Sequence, residues 1–440
     1  MTIATPNNAL RDKIVSACRR WISLRTVLIA AAILRLASIP VLRNYLHPVT
    51  WEFGPIARSI LAGHGQTFLL PNGMRVPSAF EPPAYPYFLA LFYRMFGETP
   101  LAYFLIETIQ AAAGVLLVYV VYRIAELFIG KKAGIVAACV TAIFPTQVYM
   151  CNEFHPISFY IVVHCLVVFW LARYIERTHS RIDLVAAGFS MGVLLLFRSD
   201  ALVLLFVCAG IIVVRRGLKA VVPALVFFVI ACACLAPWTI RNYRAFGKFI
   251  PVTNLAGINL WIGHNPEATG GAKYEYFSPP LPPDVQNAFD RVPLDPDYEV
   301  SKDAALRKLA EEYARSHPRR EVELALKKFL YFVAFDPEHP KGRQPLYWVP
   351  SILLTILAIY GAVLRGRKLY GEDLLMTTSI VLALAMVVAV VYLPRYRIII
   401  DPFLIVYTAN AIVHGRLWMW LGFGESREEP ASRAGTFRMN

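Results

Sequence analysis

Long apolar stretches alternate with short polar connectors along most of the chain, and this pattern predicts a bundle of membrane-spanning helices. About ten stretches come close to the roughly 20 apolar residues that an α-helix needs to cross a bilayer. Their predicted bounds are 24–42, 101–122, 133–150, 156–174, 183–197, 201–214, 219–238, 345–364, 373–392 and 397–418. The predicted fold class is therefore an all-α polytopic membrane protein.

The connectors differ in charge, and the difference predicts the orientation of the bundle. Basic residues cluster before the first stretch and after the second, fourth, sixth and eighth, namely at Arg11, Lys13, Arg19, Arg20, Arg25, Lys131, Lys132, Arg173, Arg177, Arg181, Arg215, Arg216, Lys219, Arg365, Arg367 and Lys368. Short basic connectors stay in the cytoplasm. Both termini are therefore predicted to be cytoplasmic, and the other connectors, which carry nearly all acidic and motif-like residues, face outward.

Two of the outward connectors are long, and they divide the chain into parts. The predicted parts are an N-terminal transmembrane module at 1–238 with a first outer loop at 43–100, a second outer loop region at 239–344, C-terminal transmembrane helices at 345–420 and a cytoplasmic tail at 421–440.

Both outer loops contain helical patterns. In the first, GPIARSILAGHG predicts a short helix that ends at Gly63 and Gly65, and PPAYPYFLALFYRMFG predicts a proline-started helix at the membrane interface. In the second, a charged helix is predicted at about 298–316, followed by a break at Pro318 and another helix. The second loop is therefore expected to be α-rich.

Composition excludes several classes of protein. The 440 residues are 57% hydrophobic and only 17% charged, which is too apolar for a soluble domain. The net charge of +14 lies in the connectors, so no nucleic-acid partner is predicted. No Cys occurs between Pro237 and Pro345, and no metal-ligand spacing is present.

Two carboxylates in the first outer loop are candidates for chemistry. Glu52 lies just before the short helix, where a low dielectric near the bilayer would suit it as a general base toward a hydroxyl. The alternative is an ordinary solvated loop acid. Glu81 precedes Pro82 and Pro83, and it can position an acceptor, pair with an arginine or simply complement a helix N-terminus.

Two short turns carry further polar residues close to the predicted hydrocarbon. Glu153 and His155 lie in MCNEFHPISFY, where polar groups line a wet cavity, bind a ligand or cap helix ends. Arg198 and Asp200 lie in LLFRSDALV. They form either an internal ion pair or a site where the arginine faces an anionic phosphate.

A longer distinctive run follows the seventh predicted span. Arg241 can clamp a phosphate, with Asn242 and Tyr243 as polar neighbours, or it can snorkel to lipid headgroups. The glycine-rich sequence after it contains His264 and Asn265, which are predicted substrate contacts in a segment that can order over a ligand.

The sequence LPRYRIIIDPF places positive charge on the outer side. Arg395 and Arg397 lie there against the positive-inside tendency, so an anionic partner such as a donor phosphate is expected. Asp401 lies one helical turn after Arg397, and pairing between these two residues is the structural alternative.

Several of these stretches resemble one family. EFGPIARSILAGHG, PPAYPYFLALFYRMFG, APWTIRNYRAFGKFIPV, GINLWIGHNPEATGG and PRYRIIIDPF are similar to bacterial C-type (GT-C) membrane glycosyltransferases, which are related to protein O-mannosyltransferases and the lipid A aminoarabinose transferase. The resemblance runs from about Leu34 to Asp401. It implies juxtamembrane helices, a polyprenyl-phosphate-linked sugar donor, an extracytoplasmic site, inversion at the anomeric carbon and an essential acid in the first outer loop.

The chain departs from the family pattern at two places. Family members often carry an Asp-Glu pair where this chain has Val49 and Thr50, so the catalytic role passes to the nearest acid, Glu52. The aminoarabinose transferases carry a phosphate-binding lysine where this chain has Pro82. Phosphate contacts are then expected from Arg198, Arg241, Arg395 and Arg397.

The resulting prediction is a polyprenyl-phosphate-sugar-dependent hexosyl- or pentosyltransferase of the bacterial inner membrane, with a periplasmic active site. Its partners would be membrane lipid, the donor, and a lipid, glycan or protein that carries the acceptor hydroxyl. Glu52, Glu153, His155 and Asp200 can converge on a divalent metal, although no metal motif is present. Alternatives are a lipid-linked saccharide flippase or transporter, and an O-antigen ligase or polymerase.

Overall fold

The computed structural model describes residues 23–271 and 281–415. Arg11, Lys13, Arg19 and Arg20, which contributed to the predicted orientation, lie outside the described residues. The predicted cytoplasmic tail at 421–440 also lies outside them. Nearly all regular structure within the described ranges is helical, in agreement with the predicted fold class.

The elements follow one another along the chain with short connections. Up to residue 271 they are α1 (Leu24–Leu42), α2 (Phe53–Leu61), β1 (Thr67–Leu69), β2 (Arg75–Pro77), α3 (Ala84–Phe96), α4 (Pro100–Phe128), α5 (Lys131–Ile143), α6 (Pro145–Tyr149), α7 (Ile157–Arg173), α8 (Arg181–Phe197), α9 (Ala201–Arg216), α10 (Val221–Phe246) and α11 (Ala256–Gly263). From residue 281 they are α12 (Pro283–Asp290), α13 (Tyr298–Ser316), α14 (Pro318–Val333), α15 (Pro345–Arg365), α16 (Leu374–Ala389), α17 (Pro394–Ile398) and α18 (Asp401–His414).

Each predicted span coincides with a helix or a broken helix, but not all of these helices have the length of a full crossing. Five described helices are long and apolar enough to span a membrane, and a sixth span results if the bent pair of α5 and α6 counts as one. α8, α9 and α18 have 17, 16 and 14 residues, hence about 21–26 Å at 1.5 Å per residue. A polytopic helical fold is present, and the number of ten spans stays a prediction.

The first outer loop contains a structure that periodicity did not predict. β1 and β2 pair antiparallel, with Phe68 opposite Val76, so the fold is not strictly all-α. The turn between the strands contains Asn72 and Gly73, and Gly73 has φ +83°, a conformation that glycine adopts without strain. An Asn-Gly pair between short apolar runs is the signal that would have predicted this hairpin.

The helices predicted within the two outer loops match the structure closely. α2 ends before Gly63 and Gly65, which both have positive φ. α13 has the predicted bounds, and α14 begins at Pro318, where the missing N–H is tolerated at the first helical position.

The third predicted span is broken inside the bundle. α5 and α6 meet at an angle of 58°, with the extended residue Phe144 between them. Phe144 precedes Pro145, and a residue before proline is disfavoured in the α conformation. Pro145 also lacks the N–H that would pair with the Thr141 carbonyl, so the end of α5 exposes backbone acceptors inside the membrane protein.

The side chain of Arg35 satisfies those acceptors. Arg35 lies on α1 and is fully buried. Its guanidinium donates to the Ala142 carbonyl at 2.9 Å and to the Thr141 carbonyl at 3.1 Å. Gly114 on α4 leaves room for it, because a Cβ there would lie 2.6 Å from Arg35 Nε. A buried arginine thus caps the break, a role that the sequence analysis did not assign.

The broken span also fixes the C-terminal helices. Thr146 Oγ1 lies 3.3 Å from the Asp401 carboxylate, and Gln147 Nε2 donates to the Ile398 carbonyl at 3.2 Å. Asp401 in turn pairs with Arg397. The break therefore joins α5 and α6 to α17 and α18, at the level where the outer loops begin.

Arg35→Leu is expected to destabilise the fold, since two buried carbonyls would each lose a donor at about 1–3 kcal/mol. The measurement is the thermal midpoint of the purified protein in detergent, followed by size-exclusion chromatography. Arg25→Leu is the matched control because Arg25 lies on the same helix and is exposed. Equal midpoints for the two variants would contradict the capping role.

Candidate functional site

One cavity of about 500 Å³ lies at the outer ends of the helices, beneath the second outer loop. Six residues singled out from the sequence line it, namely Glu52, Glu81, His155, Arg198, Asp200 and Arg395. Most of the remaining lining is apolar and comes from α8, α9, α11 and α16. Residues far apart in sequence thus meet at a single site.

The turn before α2 holds Glu52 in place. Trp51 has φ +47°, an unusual conformation for a non-glycine residue. Gly54 follows closely, and a Cβ there would overlap Thr50 Oγ1. The Gly54 N–H also donates to the Thr50 carbonyl at 3.2 Å. This tight backbone presents the exposed Glu52 carboxylate at the mouth of the cavity.

An aromatic cluster supports this turn from below. Phe53 is buried and packs edge-on against Tyr85 at 5.2 Å and against His155 at 5.4 Å between ring centroids. The wider cluster joins α2, α3, α4 and the turn before α7 through Phe53, Tyr85, Leu89, Phe92, Tyr93, Tyr103, Ile106 and Phe154. The helix that follows Glu52 is therefore anchored on three sides.

Glu81 lies against Glu52 inside the cavity. Its main-chain carbonyl accepts a hydrogen bond of 2.6 Å from Gln66 Nε2. Its carboxyl group forms a side-chain hydrogen bond with Glu52. Burial first, and then the charge and hydrogen bond of Glu52, raise the pKa of Glu81 well above its usual range, although Arg395 and Arg198 oppose the shift. A protonated Glu81 can therefore donate this hydrogen bond to a Glu52 oxygen.

Arg198 and Asp200 form the internal ion pair that was one of the two sequence interpretations. Arg198 Nη2 lies 2.7 Å from Asp200 Oδ2, and Nε lies 3.1 Å from both carboxylate oxygens. The guanidinium also stacks between Tyr160 at 5.3 Å and Tyr396 at 4.9 Å. Both members of the pair line the cavity, so the pairing orients the arginine without removing it from the site.

Arg395 contributes a second positive charge. It lies just before α18 on the chain and its guanidinium is 5.8 Å from the Tyr396 ring. Its charge acts on Glu81 across the cavity. Two arginines therefore face two carboxyl groups, and such a set can hold an anionic group next to a base.

His155 and Glu153 lie in the turn before α7 as predicted, but only His155 lines the cavity. The Ile157 N–H donates to His155 Nδ1 at 3.2 Å. Gln110 on α4 holds the turn from behind, with its Nε2 donating to the Cys151 and Glu153 carbonyls at 2.9 Å each. The turn is thus held by main-chain contacts that leave the His155 ring at the cavity wall.

The residues at the end of α10 lie outside the cavity lining. Arg241 donates to the main-chain carbonyls of Ser78, at 2.7 Å, and Gln66. Asn242 is fully buried and donates to the Ile250 and Val252 carbonyls. Tyr243 is exposed on the helix surface.

Arg241 and Asn242 therefore fasten the two outer loops to α10. Binding of substrate by these residues or by Tyr243 stays a prediction.

Arg397 also lies outside the lining. It is buried, pairs with Asp401 and donates to Thr355 Oγ1 at 2.8 Å. The ion pair between Arg397 and Asp401, which was the structural alternative in the sequence analysis, is therefore present. A contact between Arg397 and a donor phosphate stays a prediction without a geometric argument.

His264 and Asn265 bind the loop to its surroundings. His264 Nδ1 lies 2.5 Å from Glu321 Oε2, and Nε2 lies 2.9 Å from the Ala389 carbonyl. Asn265 is buried and donates to the Trp261 carbonyl at 2.8 Å. Neither residue lines the cavity, and substrate contacts for both stay predictions.

Several lining residues were missed by the sequence analysis. Tyr160 and His164 lie on α7, His164 bonds Ser379 on α16 at 3.2 Å, and Asn259 lies on α11. A single polar residue inside an apolar helix gives no periodic signal of the direction in which it points. Their position at the cavity could therefore be recognised only in the assembled helix bundle.

Metal ligation receives no geometric support. In the part of the chain that the structure describes, no three His, Cys, Asp or Glu side chains are placed to hold a metal ion. Glu52, His155 and Asp200 share a cavity, but they do not form a ligand set with Glu153.

Comparison with known proteins gives a family-model match over part of the chain and a similarity of fold. Residues 80–240 match the family model described as dolichyl-phosphate-mannose-protein mannosyltransferase. No curated protein sequence matches the chain.

Among solved structures, two forms of the oligosaccharyltransferase of Archaeoglobus fulgidus are similar. The form tethered to an acceptor peptide has 13% identity and a TM-score of 0.53, with 90% of this chain and 50% of that chain covered. The form in complex with an inhibitory peptide and a dolichol-phosphate has 13% identity and a TM-score of 0.52, with 91% and 51% covered. This chain thus spans about half the length of those structures, and the likeness shows a common fold.

The matched segment at 80–240 begins next to Glu81 and ends within α10, and it contains Glu81, His155, Arg198 and Asp200 of the cavity lining. In this segment and in its fold, the chain is similar to the GT-C-type membrane glycosyltransferases that its sequence resembles.

Proposed function

We propose that this protein transfers a sugar from a polyprenyl-phosphate donor to a hydroxyl acceptor at its outer face, with inversion at the anomeric carbon. The observation that carries the proposal is the cavity in which Glu52 and Glu81 face Arg198 and Arg395. Carboxylates supply a base for a hydroxyl, and guanidinium groups hold a phosphate. The acceptor is a lipid, a glycan or a protein.

The proposed reaction is a single displacement. The acceptor oxygen attacks the anomeric carbon while Glu52 takes its proton. The bond between that carbon and the phosphate oxygen breaks, and its electron pair leaves with the polyprenyl phosphate. Arg395 and the oriented Arg198 stabilise the charge that develops there, a contribution that is usually large in such sites.

Glu81 has a supporting part in this mechanism. Because its pKa is raised by burial and by Glu52, Glu81 holds a proton and donates it in a hydrogen bond to Glu52. That bond orients the Glu52 carboxyl group toward the acceptor. Glu81 is thus proposed as a positioning residue, while Glu52 performs the proton transfer.

The apolar wall of the cavity suits the tail of the donor. Val203 and Leu204 on α9 and Leu382, Met386 and Val387 on α16 line it. Val203 is also 48% exposed on the bundle surface, so the wall continues to the lipid-facing side. A prenyl chain can lie there by apolar contact alone.

The matched family description suggests the first donor to test. It names dolichyl-phosphate mannose for its own members. The archaeal oligosaccharyltransferase was solved with a dolichol-phosphate. A polyprenyl-phosphate-linked mannose is therefore the proposed first substrate, ahead of other hexoses and pentoses.

The charge distribution supports a location of the site on the non-cytoplasmic side. Arg173, Arg215 and Arg365 lie at the ends of α7, α9 and α15. The cavity is lined by residues near the opposite ends of α7 and α9. Under the positive-inside rule the basic ends are expected in the cytoplasm, which supports the proposal of a periplasmic site in a bacterial inner-membrane protein.

Glu52→Gln is expected to lower transfer by at least about 100-fold because the base is lost. The assay measures release of polyprenyl phosphate by purified protein from polyprenyl-phosphate sugars, with a membrane-lipid extract as acceptor. Glu98→Gln is the control, since Glu98 is a surface acid paired with Arg58. Wild-type turnover in Glu52→Gln would refute the mechanism. Movement of donor across liposomes without release would favour a transporter, and transfer of a saccharide block would favour a ligase.

Glu81→Gln is expected to keep activity near neutral pH, because an amide can still donate to Glu52. In the wild type, activity should fall at alkaline pH as Glu81 loses its proton and repels Glu52. The variant cannot ionise, so this alkaline fall should be absent. Profiles of kcat/KM against pH for wild type, Glu81→Gln and Glu81→Ala measure the effect, and identical alkaline limbs would exclude the positioning role.

Arg395→Ala is expected to weaken binding of polyprenyl phosphate by about 10- to 100-fold, equivalent to about 1.5–3 kcal/mol for charge-assisted hydrogen bonds. Arg241→Ala should instead lower thermal stability with little change in affinity, because Arg241 bonds main-chain carbonyls. Binding and melting of both variants can be measured in nanodiscs. If Arg241→Ala lowered the affinity and Arg395→Ala did not, Arg241 would be the residue that binds the phosphate.

A further inference from the structure

The segment at 253–262, which contains most of α11, forms a roof over the cavity. Seven of its residues line the cavity, and α11 supplies most of them. Trp261, on the other side of the helix, is buried against Val285, Leu306 and Ala310 in the outer loop. One face of the helix therefore packs in the loop and the other faces the cavity.

The first end of the roof is fixed against α13. A Cβ at Gly257 would overlap the Asp303 carbonyl, so the two backbones are in direct contact. The Ile258 N–H donates to Asp303 Oδ1 at 3.0 Å. Glycine is needed for this approach, and the hydrogen bond sets the rotation of the helix.

The second end is fixed against the end of α16. A Cβ at Gly263 would overlap the Val390 carbonyl. Lys328 is fully buried and its Nζ donates to the same carbonyl at 2.7 Å. His264 adds its contacts to Glu321 and Ala389. The roof is thus clamped at both ends, and its side chains are held in fixed positions over the cavity.

Two neutral polar side chains of this segment face the cavity without a protein partner. Thr253 and Asn259 line it and are partly buried. Within residues 23–271 and 281–415, neither side chain takes part in a hydrogen bond. The other lining residues of 255–262 are apolar. This amide and hydroxyl on an otherwise apolar stretch of wall are therefore available for hydrogen bonds to a ligand.

We propose that the roof segment is the sugar subsite, in which Asn259 and Thr253 hydrogen-bond the hydroxyl groups of the transferred sugar. The inference rests on the proposed function. It assigns the two parts of the donor, the phosphate and the sugar, to two different sets of side chains. The arginines bind the phosphate through charge, while the Asn259 amide and the Thr253 hydroxyl form hydrogen bonds with the sugar. An amide offers both donors and an acceptor, which matches the paired donor and acceptor character of sugar hydroxyls.

The test separates the sugar from the rest of the donor. Full-length wild type and Asn259→Ala are compared in nanodiscs with two probes, undecaprenyl phosphate and the undecaprenyl-phosphate sugar that the wild type turns over. One or two lost hydrogen bonds predict about a 3- to 30-fold weaker affinity for the sugar-bearing probe. Affinity for undecaprenyl phosphate should stay within about twofold, which also shows that the variant is folded.

Leu260→Ala is the matched control, because Leu260 lines the cavity from the same helix without a polar group. It should change affinity for both probes by the same factor. Thr253→Val should lower the affinity for the sugar-bearing probe alone, as is expected for Asn259→Ala.

Three results would overturn the inference. If Asn259→Ala lowered the affinity for both probes equally, Asn259 would contribute to packing and not to sugar binding. Unchanged donor affinity with a raised KM for the acceptor would assign it to the acceptor. Wild-type behaviour throughout would remove it from the site. In each case turnover that still depends on Glu52 would leave the proposed function standing, whereas absence of turnover in the wild type would refute that function instead.

Discussion

The hydrogen bonds from Arg35 to the end of α5 are the interaction on which the rest of the structure depends. Inside a bilayer, backbone carbonyls that lack a donor are costly, so a helix can break there only if other groups satisfy it. Arg35 supplies those donors, and the break turns α6 toward Asp401 and the C-terminal helices. The turn that carries His155 begins where α6 ends. The position of the His155 turn therefore depends on one buried arginine and one proline.

The cavity gains its chemical character from segments that are short and tightly held. Glu52 follows a strained Trp51, Arg198 is fixed by Asp200 and two tyrosines, and the roof helix is fixed by two glycine contacts. Each device restricts one side chain or one backbone segment before any ligand arrives. Such preorganisation lowers the cost of binding and of stabilising charge during reaction. Polar residues outside the cavity, such as Asn242 and Arg397, help to hold these segments in place.

The sequence predicted the helices and one side of the site well, because both depend on local patterns. Apolar length located the helices of the bundle, and charge near their ends identified Glu52, Glu81, Arg198 and Arg395, which line one cavity. The direction of a side chain around its helix axis was not predictable. Arg395 lines the cavity, whereas Arg397, two residues later, is buried with Asp401. Likewise Arg35 and Asn259 are single polar residues in apolar segments, and only their tertiary neighbours reveal what they contact.

The separation between the short turns and the roof segment has a consequence for diversification. The charged groups lie on turns that also hold the bundle together, so they tolerate little change. The lining side chains of 253–262 lie on a helix whose hold depends on its glycines and on its outer face. Substitutions at Asn259 or Thr253 would leave that hold intact. Under the proposed function, exchange of a few roof residues would change the sugar that is accepted while the charged groups and the membrane architecture stay the same.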